Sequence, residues 1–116
     1  MPSRRGVTAN AARKIMLAHP GVTEGMSYGT PSWLLRKKFV ARLRDNDTVL
    51  VVKCGDIERD LRLAADPRAF FLTDHYVGYP TVLIRLAEVR ETDLREVCEV
   101  AWRRQASKKQ LAERPR

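Results

Sequence analysis

The fold is decided by residues 33–53, which read WLLRKKFVARLRDNDTVLVVK. Residues 33–35 and 39–43 have the composition of two strands, and the three basic residues between them predict a tight turn. Residues 45–47, Asp-Asn-Asp, are a second turn signal that leads into a third strand at residues 48–53. The middle of that third strand is continuously apolar, so it is predicted to lie in the centre of a sheet.

Helices are predicted on both sides of this strand region. Thr8 is a good N-cap for a first helix that runs to about Ala18, and residues 56–65 have helical spacing with Ile57 and Leu61 on the apolar side. A last helix capped by Thr92 is predicted from apolar residues at i, i+3, i+4, i+7 and i+8, which are Leu94, Val97, Cys98, Ala101 and Trp102. Two more strands are expected at residues 70–73 and 81–86, whereas residues 21–32 are predicted to be a structured loop with at most a short strand.

These elements predict an α+β fold of two layers, a largely antiparallel sheet with helices on one face and the other face open to solvent. Alternation along residues 39–44 predicts that Phe39, Ala41 and Leu43 point toward the helices. Val40, Arg42 and Arg44 would then point outward. By the same alternation, Leu83 and Arg85 point outward, and Lys53 joins them. The sequence therefore predicts a basic outer face beside a basic hairpin.

The formal charge of +8 is unevenly distributed along the 116 residues. Residues 6–102 hold 14 Lys and Arg against 13 Asp and Glu, so the charge excess of the chain lies mainly at its ends. We expect a single domain at residues 6–106, with basic, flexible ends at residues 1–5 and 107–116. Residues 33–44 hold five bases and no acid. Only this hairpin is expected to hold excess charge in a fixed geometry.

The basic hairpin makes DNA the first candidate partner, bound through its phosphates with low sequence specificity. The predicted phosphate contacts are Arg36, Lys37, Lys38, Arg42, Arg44 and Arg85. The alternative is a small-ligand or enzymatic pocket built from two Gly- and Pro-marked loops, in which His75 would act with a carboxylate. Its residues would be Glu24, Tyr28, His75, Tyr76 and Tyr79. A protein-interaction adaptor that uses an open sheet face is a third interpretation.

Several sequence signatures are missing from the chain. It contains no GxxxxGK[ST], GxGxxG, GxSxG or HExxH, and its two cysteines lack metal-ligand spacing. These absences favour a binding protein over an enzyme, so no catalytic residue, metal ligand or cofactor is assigned. Cys54 and Cys98 are predicted to be reduced and structural. No stretch is long and apolar enough to span a membrane, which predicts a cytoplasmic protein without a membrane partner. The oligomeric state is left open.

Two strings of residues, in this order, carry a family resemblance. The first comprises residues 20–25 (PGVTEG), 27–33 (SYGTPSW), 38–39 (KF) and 41–43 (ARL). The second comprises residues 70–73 (FFLT), 75–76 (HY), 78–80 (GYP), 82–86 (VLIRL) and 101–102 (AW). Together they resemble the MmcQ/YjbR family over about residues 8–111. The resemblance implies a CyaY-like α+β fold, with hairpins comparable to a double-wing motif, and DNA binding as the family's usual description.

Overall fold

The computed structural model describes residues 4–113. The helices are α1 (Ala9–Leu17), α2 (Asp56–Ala65), α3 (Glu91–Gln105) and α4 (Lys108–Ala112). The strands are β1 (Val22–Ser27), β2 (Thr30–Leu35), β3 (Lys38–Arg44), β4 (Val49–Val52), β5 (Phe70–Phe71) and β6 (Val82–Arg85). A single 3₁₀ turn at Asp74–Tyr76 lies between β5 and β6.

The six strands form one antiparallel sheet in the order β1-β2-β3-β4-β6-β5. The continuously apolar strand β4 is buried along its whole length and lies between β3 and β6. Its predicted central position is confirmed, because a strand covered on both faces has no polar side to present to water. The α+β class predicted from the sequence is confirmed with it.

One face of the sheet packs against the helices and forms the main core. Trp33 and Leu50 contribute from the sheet, Met16 from α1 and Trp102 from α3, all fully buried. Thr8 caps α1 as predicted, since its Oγ1 accepts the Ala11 amide at 3.0 Å. The predicted apolar residues of α3 are all buried, but this helix begins at Glu91, so Thr92 lies inside its first turn and does not cap it.

The clearest difference from the sequence prediction is at residues 21–32, which were predicted to be mainly a loop. They form most of a hairpin, in which β1 and β2 are joined by Tyr28 and Gly29 with φ of 54° and 76°. β1 is an edge strand with exposed polar residues such as Thr23, so its composition does not read as a strand. Hydrogen bonding to β2 determines its conformation, and that pairing is not visible in a local pattern.

A β-bulge in β3 reverses the predicted directions of two side chains. Trp33 is paired with Ala41, but Leu34 is paired with Phe39, so Val40 is the extra residue. Val40 therefore joins the core on the helix side, and Phe39 packs on the opposite face. Both predictions were wrong because strict alternation fails at a bulge. Arg42 lies beyond the bulge and shares its register row with Val51 and Leu83, away from the helices as predicted.

The sheet face turned away from the helices, called the outer face below, is partly covered rather than open as predicted. Val49, Val51 and Leu83 form a second apolar cluster there. Phe39, Phe71, Leu72 and Tyr76 pack against it. The connection from β5 to β6 therefore folds over part of the outer face.

Helix α2 has the predicted bounds but the opposite orientation. Ile57 and Leu61, which were expected to face the core, are 80% and 60% exposed, and no residue of this helix is fully buried. Leu63 packs against the core instead, while Arg62 pairs with carboxylates of α2 and α3. The orientation of α2 thus includes ion pairs with α3, and apolar periodicity alone did not predict it.

Residues 107–113, which belong to the end predicted to be flexible, include helix α4. Its N-terminus has a capping box, in which the Ser107 hydroxyl accepts the Gln110 amide and the Gln110 side chain accepts the Ser107 amide. Leu111 packs against the core. At the other end, Arg5 pairs with Asp66 at 3.1 Å. Residues 1–3 and 114–116 of the two predicted ends lie outside the described residues.

Candidate functional site

A cleft of ≈ 920 Å³ lies on the outer face, between the β1–β2 turn and the connection from β5 to β6. Strand β3 supplies part of its wall with Phe39 and Arg42, and Lys53 contributes from the end of β4. Aromatic side chains come from both sides, with Tyr28 on one side and His75, Tyr76 and Tyr79 on the other. We call this the aromatic cleft. It contains four of the five residues predicted for a ligand pocket and one of the six predicted for DNA.

The three aromatic residues from the 3₁₀ connection form a connected group. The His75 ring meets the Tyr76 ring edge-on, with centroids 5.0 Å apart. It is nearly parallel to the Tyr79 ring, with an interplanar angle of 23° and centroids 6.5 Å apart. Tyr79 is 57% exposed. Exposed rings in this arrangement present apolar faces to a cleft that water can enter, which favours planar ligands.

Arg42 connects the two sides of the aromatic cleft. Its Nη2 donates a hydrogen bond to the Tyr76 hydroxyl at 3.0 Å, and its Cζ lies 5.2 Å from the centroid of the Tyr28 ring. These partners are neutral, so they orient the guanidinium without compensating its charge. No Asp or Glu lines the cleft. Arg42 is therefore positioned to bind an anionic group.

More cations precede Phe39 in the chain. Lys38 directly precedes Phe39, and the β2–β3 turn, formed by Arg36 and Lys37 with φ of 56° and 65°, directly precedes Lys38. We call Arg36, Lys37 and Lys38 the hairpin tip; all three are exposed. Arg104 of α3 lies against Gly55, two residues after Lys53 in the chain, because a Cβ on Gly55 would lie 2.8 Å from Arg104 Nε.

Arg44 and Arg85 lie at the opposite end of the outer face from the hairpin tip. Lys38 and Arg44 are six residues apart on β3, which corresponds to roughly 20 Å. Arg44 pairs with Asp45 at 3.3 Å, and the Arg85 Cζ lies 4.0 Å from the centroid of the Phe71 ring. Arg85 also donates to the Arg68 carbonyl at 3.1 Å. Lys38 is paired with the core residue Leu35, so it lies on the helix side of the sheet. The six predicted phosphate contacts are thus neither gathered at one point nor all on the outer face.

Glu24, the carboxylate predicted for the pocket, is not part of the aromatic cleft. It is paired with Trp33 across β1 and β2, so it lies on the helix side of the sheet. Its Oε1 accepts from Arg13 Nε at 2.7 Å and from the buried Trp33 indole at 3.2 Å. Within residues 4–113, no carboxylate forms an ion pair with His75. Glu24 and His75 therefore lie on different sides of the sheet.

Cations without a carboxylate partner occur at the hairpin tip, on the outer face and in the helices. Counting only partners among residues 4–113, the cations with no carboxylate within 4.0 Å are Arg4, Lys14, Arg36, Lys37, Lys38, Arg42, Lys53, Arg85, Arg104, Lys108 and Lys109. Apart from Arg4 and Lys14, these belong to the hairpin tip, the outer face or the end of the chain from α3 onward. The ion-paired cations of the helices are Arg13, Arg59, Arg62, Arg95 and Arg103.

Both cysteines are buried and free, as predicted. Burial raises the pKa of the Cys54 thiol from 9.0 to about 12, and nearby Glu58 contributes to this shift. Burial also raises the pKa of the Cys98 thiol to about 12. These thiols are therefore protonated and unreactive near neutral pH. In the part of the chain that is described, no cluster of His, Cys, Asp and Glu is placed to hold a metal ion, and no helix is long and apolar enough to cross a membrane.

Comparisons with known proteins add a family match. The YjbR family model matches residues 17–104, which include β1–β6, α2 and most of α3. Three mycobacterial proteins match at 48% identity over 46 residues: the uncharacterized proteins Mb2600 of Mycobacterium bovis, and MT2646 and Rv2570 of Mycobacterium tuberculosis. Each match covers 40% of this chain and 36% of the relative. No solved structure matches significantly.

Proposed function

This chain belongs to the YjbR family, and we propose that its outer face and hairpin tip bind DNA with low sequence specificity. The observation that carries the proposal is a group of neighbouring cations without carboxylate partners. The hairpin tip, Arg42 and Lys53 have none within 4.0 Å among residues 4–113, whereas Arg59, Arg62, Arg95 and Arg103 of α2 and α3 are ion-paired. Cations without internal partners can release counterions from a polyanion.

The dimensions of this surface suit a nucleic-acid backbone. The roughly 20 Å from Lys38 to Arg44 corresponds to about six base-pair steps, given one phosphate per 3.4 Å on each strand. The cations along this length lie on strands and a two-residue turn rather than in a long loop. Antiparallel pairing holds the spacing of their backbones fixed, so binding does not have to order a flexible segment first.

Low specificity is proposed because the described residues place no α-helix on the outer face. All four helices pack in the core on the opposite side. Helices α1 and α3 contribute buried residues, and α2 and α4 contribute Leu63 and Leu111. Reading bases in the major groove requires a helix or a two-stranded ribbon that enters it. The β2–β3 hairpin is the only such ribbon with a basic tip in the described chain, and its Lys and Arg side chains suit phosphates.

Fluorescence anisotropy with a labelled DNA duplex tests the proposal. Lys37→Glu and Lys38→Glu are compared with Lys14→Glu, which makes the same change in charge at an exposed, unpaired lysine of α1. We expect each hairpin-tip variant to weaken binding severalfold and the double variant to weaken it by roughly tenfold or more, with little effect of Lys14→Glu. Equal effects at all three positions would mean that only net charge matters.

A second set of variants separates the hairpin tip from the basic end of the chain. Lys108→Glu/Lys109→Glu changes two exposed lysines of α4 without touching its capping box. If this variant abolishes binding while Lys37→Glu/Lys38→Glu leaves it unchanged, the end of the chain binds DNA and the hairpin tip does not. The proposal expects the larger loss from the hairpin tip.

A further inference from the structure

We propose that the aromatic cleft binds one nucleotide unit, with the base stacked on the exposed rings and the phosphate held by Arg42 and Lys53. The nucleotide can be an unpaired residue of a single strand or a free mononucleotide, since both offer a planar ring and an anionic group. For the strand, this inference rests on the proposed nucleic-acid function. For the free nucleotide it does not.

The cleft combines the two chemical features that a nucleotide requires. Its volume of ≈ 920 Å³ is within the range of small-ligand sites, roughly 300–1,000 Å³. Arg42 and Lys53 give it two positive charges, and it has no lining carboxylate. Rings from Tyr28, His75 and Tyr79 provide apolar faces on both sides. A purely basic surface would bind phosphate without needing these rings.

Arg42 is already oriented for an anion. Its Nη2 donates to the Tyr76 hydroxyl and its Nη1 to the Leu43 carbonyl at 3.5 Å, and the Tyr28 ring centroid lies 5.2 Å from its Cζ. N–H groups that remain available can donate to phosphate oxygens, the geometry in which Arg is strongest. Ordering this side chain in advance reduces the entropy that binding would otherwise cost.

Tyr28 departs from the residue type that its turn favours. A two-residue hairpin turn with positive φ at both positions favours Asn-Gly, and this chain has Tyr28-Gly29 with φ of 54° and 76°. The Tyr28 side chain is 91% exposed, so core packing does not account for the aromatic ring. A side chain that is unfavourable for its turn and faces a cleft is best explained by a role in binding.

The test measures three probes by anisotropy and calorimetry: a labelled oligothymidylate single strand, a duplex of equal length, and adenosine 5′-monophosphate with adenosine as its uncharged control. The variants are Tyr28→Asn, which suits the turn and lacks the ring, and Arg42→Gln. Ile57→Ala, at an exposed apolar residue of α2, is the matched control. Circular dichroism and melting temperature verify that every variant folds.

We expect Tyr28→Asn to weaken binding of the single strand roughly tenfold, because one base–aromatic stack is lost. Binding of the duplex should change little. Arg42→Gln should weaken the single strand as well. If adenosine 5′-monophosphate binds, adenosine does not, and both variants reduce this binding, the cleft accepts the free nucleotide even when no strand binds. That result supports the cleft while the DNA proposal fails.

Two results would overturn the inference. One is that neither the single strand nor the mononucleotide binds. The other is that both Tyr28→Asn and Arg42→Gln leave the binding of these probes unchanged. If duplex binding nevertheless remains sensitive to Lys37→Glu, the DNA proposal stands and the cleft proposal alone is rejected.

Discussion

Arg42 on β3 donates a hydrogen bond from Nη2 to the phenol oxygen of Tyr76, 3.0 Å away across the aromatic cleft. This bond connects the sheet to the 3₁₀ turn, and it brings together one residue from each of the two sites predicted from the sequence. The basic surface and the aromatic pocket are therefore parts of one continuous outer face. Each part can be tested separately, because their side chains make different contacts.

Tyr76→Phe removes the acceptor for Arg42 but keeps the ring that packs against the second apolar cluster. We expect the free energy of unfolding to fall by about 1 kcal/mol, the usual net contribution of one hydrogen bond. Tyr76→Ala should cost more, since it also uncovers the second apolar cluster. Urea unfolding measures both variants, and equal losses would show that the hydroxyl rather than the ring dominates.

Tyr28→Asn tests whether the turn residue was retained at the expense of local stability. Asn tolerates positive φ better than an aromatic residue, so the variant should be as stable as the natural chain or more stable by up to about 1 kcal/mol. Thermal unfolding followed by circular dichroism measures this difference. A clear decrease in melting temperature would mean that the Tyr28 contact with Arg42 stabilises the fold.

Glu24 is predicted to matter for folding and not for binding. Glu24→Ala leaves the buried Trp33 indole without its acceptor and should cost about 1–3 kcal/mol, whereas Glu24→Gln keeps an oxygen for it and should cost less. Neither variant should change affinity for DNA or nucleotide per folded molecule, because Glu24 lies on the helix side of the sheet. Loss of binding in a fully folded Glu24→Gln protein would contradict this placement.

The buried thiols predict a decline of stability at alkaline pH. Burial raises the pKa of Cys54 and Cys98 from 9.0 to about 12, so between these values the unfolded chain loses thiol protons that the folded chain keeps. The unfolded state then binds fewer protons, and the free energy of unfolding falls as pH rises, by up to about 1.4 kcal/mol per pH unit for each thiol. Below about pH 9 this contribution is constant.

Urea unfolding at pH 8, 9 and 10 measures that decline. The Cys54→Ala/Cys98→Ala variant is the control, since it retains every other titrating group. We expect its stability to be lower at pH 8 but to fall less steeply with pH than that of the natural chain. Parallel pH profiles for the two proteins would show that the thiols do not cause the decline.

The sequence predicts the parts of this fold that local patterns determine. The central position of β4 and the buried face of α3 follow from apolar spacing, and the α1 cap follows from one hydroxyl at Thr8. Strand β1 and the bulge at Val40 could not be predicted, because pairing with a neighbouring strand creates both. The outward orientation of α2 was missed for a related reason, since its Arg62 contacts depend on the position of α3.

The candidate site was predicted in pieces. The loops that carry Tyr28 and the His75–Tyr79 group do meet, as the pocket interpretation required. Glu24 lies on the other side of the sheet, because its position opposite Trp33 depends on a hairpin that its composition does not indicate. Arg104 approaches Gly55 through the packing of α3. Sequence spacing alone contains no information about such a contact.

The salt dependence of duplex binding tests the central claim most directly. Neutralising Z phosphates gives a slope of about −0.9Z when the logarithm of the association constant is plotted against the logarithm of salt concentration. Lys37→Ala/Lys38→Ala should make this slope less negative by about 2, and Lys14→Ala should leave it unchanged. Identical slopes for the natural chain and the hairpin-tip variant would contradict phosphate binding by the hairpin tip.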